Sequence, residues 1–248
     1  MIPKIIHYCW FGGRILPDLA QKCIASWKEY LFDYEIKEWN EQNFDINNIP
    51  YVKEAYEAGK FAFVADYVRL YALYMEGGIY MDTDVEVVRN LDVFLHHSAF
   101  LGFESKTTIS TGIIASEKGG IWVKEILEYY QERHFIKLDG KLDLTTNVVT
   151  ITNYMCKCGL KQDNTYQDVL GLFTIYPQDY FSPKSCGRIL STKNTYCIHY
   201  FAGSWLPKKQ MVINYIAAFV GPQITHILGK IRRFVFKKKM RKLNIINV

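Results

Sequence analysis

Apolar residues recur along this chain at two spacings, and each spacing predicts a kind of element. From Ile2 to Trp10 they run almost unbroken and stop at Gly12-Gly13, which predicts a buried strand closed by a glycine turn. Leu16–Tyr30 reads as a helix and Tyr34–Trp39 alternates as a second strand. Phe61–Glu76 is the clearest helix, with Val64, Val68, Tyr71 and Met75 at helical intervals and Gly77-Gly78 as its stop. Ile79–Val88 then alternates, placing Ile79, Met81, Thr83, Val85 and Val87 on one face and Tyr80, Asp82, Asp84 and Glu86 on the other. Further on, Ile113–Ala115 predicts a short strand, Trp122–Arg133 a helix, and Asn194–Tyr200 a late strand before Gly203-Ser204-Trp205. Strand, glycine turn, helix, strand is the opening of an α/β nucleotide-binding domain. No internal repeat or low-complexity block interrupts it.

Composition changes this picture in one place. The chain has 248 residues, 49% of them hydrophobic, enough for one large domain with a substantial core. Its net charge of +5 is unevenly spread. Ten basic residues and no acid lie between Leu206 and Val248, leaving 20 basic and 25 acidic residues over the first 205. Acids vanish near Pro207, which sets the expected boundary: a domain over 1–206 and a basic tail over 207–248. In the tail, Ile224, Ile227, Leu228, Ile231, Phe234 and Val235 recur at near-helical spacing among Lys230, Arg232, Arg233 and Lys237. That pattern predicts an amphipathic helix suited to an anionic membrane surface, or one docked on the body with a solvated basic face. No nucleic-acid reader motif accompanies the charge, so nucleic acid is not expected as a partner. The six cysteines form no zinc pattern, no stretch of about 20 apolar residues is present, and no signal peptide is read at the start, so the expectation is free thiols in a cytoplasmic, membrane-peripheral protein.

The candidate chemistry centres on Asp82-Thr83-Asp84. A period of two turns both carboxylates into one space, and Mg2+ or Mn2+ takes one or two carboxylates together with substrate phosphates. A D-x-D alone is a weak signal in a chain with twelve Asp, and its context strengthens it. Asp66 and Arg69 share a face of the preceding helix that also carries bulky apolar groups, where an unpaired charge is costly. They read either as an ion pair, internal or to Asp82 or Glu86, or as ligands of sugar and phosphate oxygens. His199 is a candidate to complete a metal sphere opened by Asp84, and Ser204 and the Trp205 indole are candidate phosphate donors. Trp10 reads as a base-stacking residue or a core tryptophan. Ser110-Thr111-Gly112 and Thr145-Thr146-Asn147 read as turn and cap chemistry or as the lining of an acceptor cleft.

Four segments occur in order: Ile2-Pro-Lys-Ile-Ile-His-Tyr-Cys-Trp-Phe-Gly-Gly13, Ala65-Asp66-Tyr-Val-Arg69, Gly77-Gly78-Ile-Tyr80-Met-Asp82-Thr-Asp84 and His199-Tyr-Phe-Ala-Gly-Ser204-Trp205. Together they resemble the family-32 glycosyltransferases, over about residues 1–206. The short bacterial capsular and exopolysaccharide members are the nearest in kind. The resemblance implies a single GT-A domain, α/β with a mixed, mostly parallel central sheet and a Rossmann-like nucleotide-sugar site. It implies that Trp10 stacks on uracil, with Tyr80, Ser204 and Trp205 also on the donor side. Asp66, Arg69 and Asp82 would handle the hexose, and Asp82, Asp84 and His199 would hold Mn2+ or Mg2+. The implied reaction is a retaining transfer of galactose or glucose from a UDP-sugar to a saccharide acceptor, possibly lipid-linked, during bacterial surface polysaccharide synthesis. Two rival readings are an inactive membrane adaptor on the same fold and a nucleotide-sugar hydrolase or pyrophosphorylase. For a pyrophosphorylase, the loop Phe11-Gly12-Gly13-Arg14 is a poor match.

Overall fold

The computed structural model describes residues 1–185 and 188–203. The expected tail, its boundary near Pro207, and Ser204 and Trp205 lie outside the described residues.

In chain order the elements are β1 (Ile5–Cys9), α1 (Asp18–Tyr30), β2 (Glu35–Trp39), α2 (Pro50–Glu57), α3 (Phe61–Glu76), β3 (Gly78–Met81), β4 (Val85–Val87), β5 (Ala99–Phe103), β6 (Ile109–Ser116), α4 (Ile121–Gln131), α5 (Asn147–Lys157), β7 (Gln167–Val169), β8 (Phe173–Tyr176), α6 (Gln178–Phe181), β9 (Lys184–Ser185), β10 (Arg188–Ile189) and β11 (Cys197–His199). A seven-stranded sheet runs in the order β2-β1-β3-β6-β5-β8-β7. The pairs β1–β2, β1–β3 and β5–β8 are parallel, whereas β6 and β7 run against their neighbours, so the sheet is mixed with most strands in one direction. This is the α/β class with a mixed central sheet that the sequence implies. The antiparallel hairpin β9–β10 belongs to a separate unit from the one formed by residues 1–183 and 190–203.

Strand alternation divides the core in two. Ile79 and Met81 of β3, Phe100 of β5, and Ile113 and Ala115 of β6 join Trp27, Leu31, Phe94 and Phe181 on one face of the sheet. Tyr80, Leu101 and Ile114 point the other way, into a larger cluster with Val64, Val68, Leu73, Trp122, Tyr130 and Ile151 from the helices. Helix α3 lies in the middle of this larger layer, and its residues from Phe63 to Leu73 are buried except Tyr71, so its polar side chains at positions 66 and 69 face protein rather than water.

One expected element is corrected. Ile79–Val88 is not a continuous strand: it breaks at Asp82–Asp84, where the Val85 N–H donates back to the Asp82 carbonyl at 3.0 Å. After the break β4 leaves the main sheet and pairs antiparallel with β11. Helix α1 fixes it there: the Trp27 indole N–H donates to the Val85 carbonyl at 2.7 Å, and the Val87 N–H donates to Ser26 Oγ at 2.9 Å. Both halves still bury their Ile79, Met81, Val85 and Val87 side chains on the same side, which is why the alternation reads as unbroken.

Candidate active site

Strands β1, β3, β5 and β8 all end at one edge of the sheet, the edge at which open α/β sheets bind ligands. Asp82 follows the last residue of β3 at that edge. Its backbone N–H donates to the Gly112 carbonyl at 2.8 Å. An unbroken β5–β6 ladder would continue from Leu101–Ile114 to Phe103–Gly112, but Phe103 pairs with Ile109. Strand β6 therefore bulges over Ser110–Gly112, freeing carbonyls to turn toward the site.

The register of β11 on β4 sets His199 opposite Val85, beside Asp84. His199 Nε2 lies 3.3 Å from Asp84 Oδ1 and 4.0 Å from Asp82 Oδ2, and one ligand atom from each of the three residues falls within 4.8 Å of the others. Burial presses the pKa of His199 down, but the hydrogen bond and charge of Asp84, with Asp82 behind it, prevail and raise it. Burial pushes the Asp84 carboxyl up, and the His199 contact together with the Ala202 N–H, 2.7 Å from Oδ2, draws it below its ordinary value. That N–H is aimed by Phe201, whose φ of 52° lies in the left-handed region and whose ring stacks on His199 at 3.9 Å. His199 Nδ1 is buried without a hydrogen-bond partner among the described residues. Two carboxylates and an imidazole, converging and partly shielded from water, are a donor set that suits a hard-to-borderline divalent cation.

Next to this trio lies a buried charge network. Arg69 is 5% exposed and spends its guanidinium inside the protein. Its Nη2 is 3.1 Å from Asp66 Oδ1 and 3.5 Å from Asp82 Oδ1, Nη1 donates to the Thr111 carbonyl at 2.6 Å, and Nε donates to the Ala65 carbonyl at 3.2 Å. The Tyr80 ring lies under the guanidinium at 4.5 Å, and its hydroxyl donates to Asp82 Oδ1 at 2.9 Å. Asp66 accepts the Asn147 N–H on Oδ2 at 3.1 Å, while Asn147 Nδ2 donates to the Asp66 carbonyl at 2.6 Å and Tyr130 donates to Asn147 Oδ1 at 2.7 Å. Burial raises the Asp66 pKa to about 6, against the pull of Arg69 and the Asn147 N–H. The network thus holds Asp82 from two sides and sets an Asp66 carboxyl of unusually low acidity beside it.

Residues 17–101 match the family described as "Glycosyltransferase sugar-binding region containing DXD motif". The matched stretch carries Asp66, Arg69, Asp82 and Asp84. Inositol phosphoceramide mannosyltransferase 3 of Schizosaccharomyces pombe is 31% identical over 133 residues, covering 51% of this chain and 36% of the relative. Mannosyl phosphorylinositol ceramide synthase CSH1 of Saccharomyces cerevisiae is 29% identical over 55% of this chain and 38% of its own length. The chain thus spans little more than a third of these yeast relatives. An uncharacterized glycosyltransferase, L373 of Acanthamoeba polyphaga mimivirus, is 25% identical over 84% of this chain and 85% of the viral protein. Among solved structures, a glycosyltransferase involved in glycosylation of the major capsid of PBCV-1 aligns over 87% of this chain and 99% of its own, with 12% identity and a TM-score of 0.49. The PaToxG glycosyltransferase aligns over 63% and 69%, with 19% identity and a TM-score of 0.45.

The structure gathers the DXD pair, His199, Asp66, Arg69 and Tyr80 into one place. The ion-pair reading of Asp66 and Arg69 is realised, and extends to Asp82. Tyr80 is 2% exposed, so within this conformation it orients Asp82 rather than presenting a ring face. Trp10 is partly buried against the smaller core cluster at the end of β1, its indole N–H donating to the Arg14 carbonyl. Ser110-Thr111-Gly112 proves to be the β6 bulge, and Thr145-Thr146-Asn147 the start of α5. Glu104 beyond β5 carries no sequence signal of its own, and Asn147, which the sequence marks as cap or cleft chemistry, carries none as the partner of Asp66. Asn147 stands 81 residues from Asp66 and Glu104 stands 38, and only the fold brings them in.

Proposed function

We propose that this chain transfers a hexose from a nucleoside-diphosphate sugar to a saccharide acceptor, on a GT-A fold, with a divalent cation held by Asp82, Asp84 and His199. The observation that carries the reading is the convergence of these three side chains at the carboxyl edge of the sheet, directly beside the buried Asp66–Arg69 pair. A cation bound there neutralises the charge that builds on a departing diphosphate. Arg69 and Tyr80 hold the Asp82 carboxylate in place, so its orientation is set before substrate arrives. Asp66 accepts hydroxyls of the donor hexose, and Trp10, with Ser204 and Trp205, serves the nucleotide and diphosphate.

The reaction is read as retaining. The acceptor hydroxyl attacks the anomeric carbon on the face from which the diphosphate leaves. The new carbon–oxygen bond forms as the bond to the phosphate oxygen breaks, and the acceptor's proton passes to that departing oxygen. The donor expected from the sequence is UDP-galactose or UDP-glucose, with Mn2+ or Mg2+, and the product a bacterial surface polysaccharide. The names of the yeast relatives, both mannosyl-transfer enzymes, favour a second donor reading, a nucleoside-diphosphate mannose. The ten basic residues beyond Leu206, without an acid, support attachment of the tail to an anionic membrane surface at the inner face of the cell membrane, near a lipid-linked acceptor. No helix among the described residues is long and apolar enough to cross a membrane.

The test is a panel of UDP- and GDP-hexoses with Mn2+ or Mg2+, read as released nucleoside diphosphate and as thermal stabilisation. Release from one donor that depends on the cation is the expected result. No release and no stabilisation with any donor, with or without cation, removes the reading.

A further inference from the structure

We infer that Glu104 is the acceptor-side carboxylate of this site, accepting a hydrogen bond from a hydroxyl of the incoming saccharide; the inference rests on the transferase reading above. Glu104 is the first residue beyond β5, at the same sheet edge as Asp82. Along that edge the order is β1, β3, β6, β5, so Trp10 lies one strand to one side of Asp82 and Glu104 two strands to the other. Strands are spaced about 4.8 Å apart, so the two carboxylate-bearing strand ends stand roughly 10 Å apart. A nucleotide on the Trp10 side and a cation at Asp82 and Asp84 leave the β5 side for the second sugar.

The local structure holds Glu104 at this place. Its N–H donates to the Thr108 carbonyl at 2.9 Å, and its own carbonyl accepts Gln178 Nε2 at 2.6 Å. Gly102, just before it, lies so close to Phe181 that a Cβ there would come within 2.7 Å of the ring, which seats the end of β5 against α6. The carboxylate itself is sparsely used. Thr108 Oγ1 reaches Oε1 only at 3.5 Å, and no cation forms an ion pair with Glu104 among the described residues. It is half-buried and within electrostatic reach of both His199 and Asp82, yet it is not one of the three clustered ligand side chains. Burial raises its pKa, against the pull of His199 and the Thr108 hydroxyl. A partly desolvated carboxylate whose side-chain donor among the described residues is one long Thr108 hydroxyl contact is suited to neutral hydroxyls, which a saccharide supplies in number.

The experiment measures transfer and donor hydrolysis together. Wild type, Glu104→Gln and Glu104→Asp are incubated with Mn2+, the nucleotide sugar that wild type turns over, and p-nitrophenyl galactosides, glucosides and mannosides as acceptor probes. The ratio of transfer to hydrolysis is independent of how much of each variant folds. For Glu104→Gln this ratio is expected to fall at least tenfold, with the acceptor KM rising, and Glu104→Asp is expected to fall between it and wild type. An unchanged ratio overturns the inference. So does a parallel loss of transfer and hydrolysis with the ratio kept, which would make Glu104 part of the cation and donor machinery. Donor turnover that no hexoside diverts to transfer, even in wild type, overturns the hexoside class of acceptor. Absence of any donor turnover in wild type instead strikes the transferase reading itself.

Discussion

The imidazole of His199 occupies the space that a side chain on residue 112 would fill. A Cβ built on Gly112 would stand 2.5 Å from His199 Cε1 and 2.6 Å from Nδ1. Glycine at this point of the β6 bulge lets a histidine from β11 reach across to Asp82 and Asp84. The ring has no easy retreat, because Phe201 stacks against it and the residue is 7% exposed.

Gly112→Ala is therefore expected to push the ring off its two carboxylates while the sheet survives. Mn2+ affinity should drop by about 10- to 100-fold, the usual scale for disturbing the support of a ligand, with an overpacking cost of about 1–3 kcal/mol in stability. Calorimetric titration and a urea melt measure the two separately. If Gly112→Ala and His199→Ala act through the same contact, the double variant should lose less affinity than the sum of the singles. Full additivity would refute the link.

Asp84→Asn should leave the protein folded and remove cation-dependent turnover. The Asn side-chain oxygen can still accept the Ala202 N–H, so the turn keeps that bond. Losing several kcal/mol of charge stabilisation on the leaving group corresponds to about a thousandfold or more in rate. Nucleoside diphosphate release with and without Mn2+ is the measurement, and near-wild-type release that still needs the cation would remove Asp84 from the site.

Arg69→Met should destabilise strongly. It strips Asp66 and Asp82 of their shared cation and leaves the Thr111 and Ala65 carbonyls without that donor. Breaking a buried pair by removing one partner costs about 3–5 kcal/mol. A urea midpoint within error of wild type would show that Asp66 does not carry its charge in the resting protein.

The pH dependence of stability should carry the mark of Asp66. Its folded pKa, about 6, lies above the ordinary aspartate value, so between roughly pH 4 and 6 the folded state binds more protons than the unfolded chain. Stability from this group is complete below about pH 4 and is lost as pH rises through 6. The melting temperature of wild type minus that of Asp66→Asn should consequently fall from pH 4 to pH 7. A difference that is flat or rising over that window would contradict the burial argument.

Chelation should act on the same trio from outside. Mn2+ at a hundred times its dissociation constant should stabilise the protein by about 2.7 kcal/mol, reversed by EDTA. His199→Ala should remove most of that response.

By itself the sequence determined the elements with strong local signatures. Phe61–Glu76 is helical over the span that its periodicity and its terminal glycines prescribe, because a long apolar stripe and a Gly stop are written in neighbouring residues. The D-x-D pair, the Asp66–Arg69 spacing and the α/β class were legible for the same reason. The extent of other elements was less so: β11 is Cys197–His199 rather than Asn194–Tyr200, and α2, β5, α5, β7 and β8 lacked a usable pattern. Tertiary structure alone decided the break at Asp82–Asp84, since a turn that keeps Val85 and Val87 on the buried side is invisible to a period of two. It alone decided that Arg69 is spent on Asp66, Asp82 and Thr111, that His199 needs Gly112, and that Asn147 and Glu104 border the site. Apart from Asp66 beside Arg69, those relationships join residues 13 to 87 positions apart, and they depend on strand register and side-chain volume, which no local window of sequence contains.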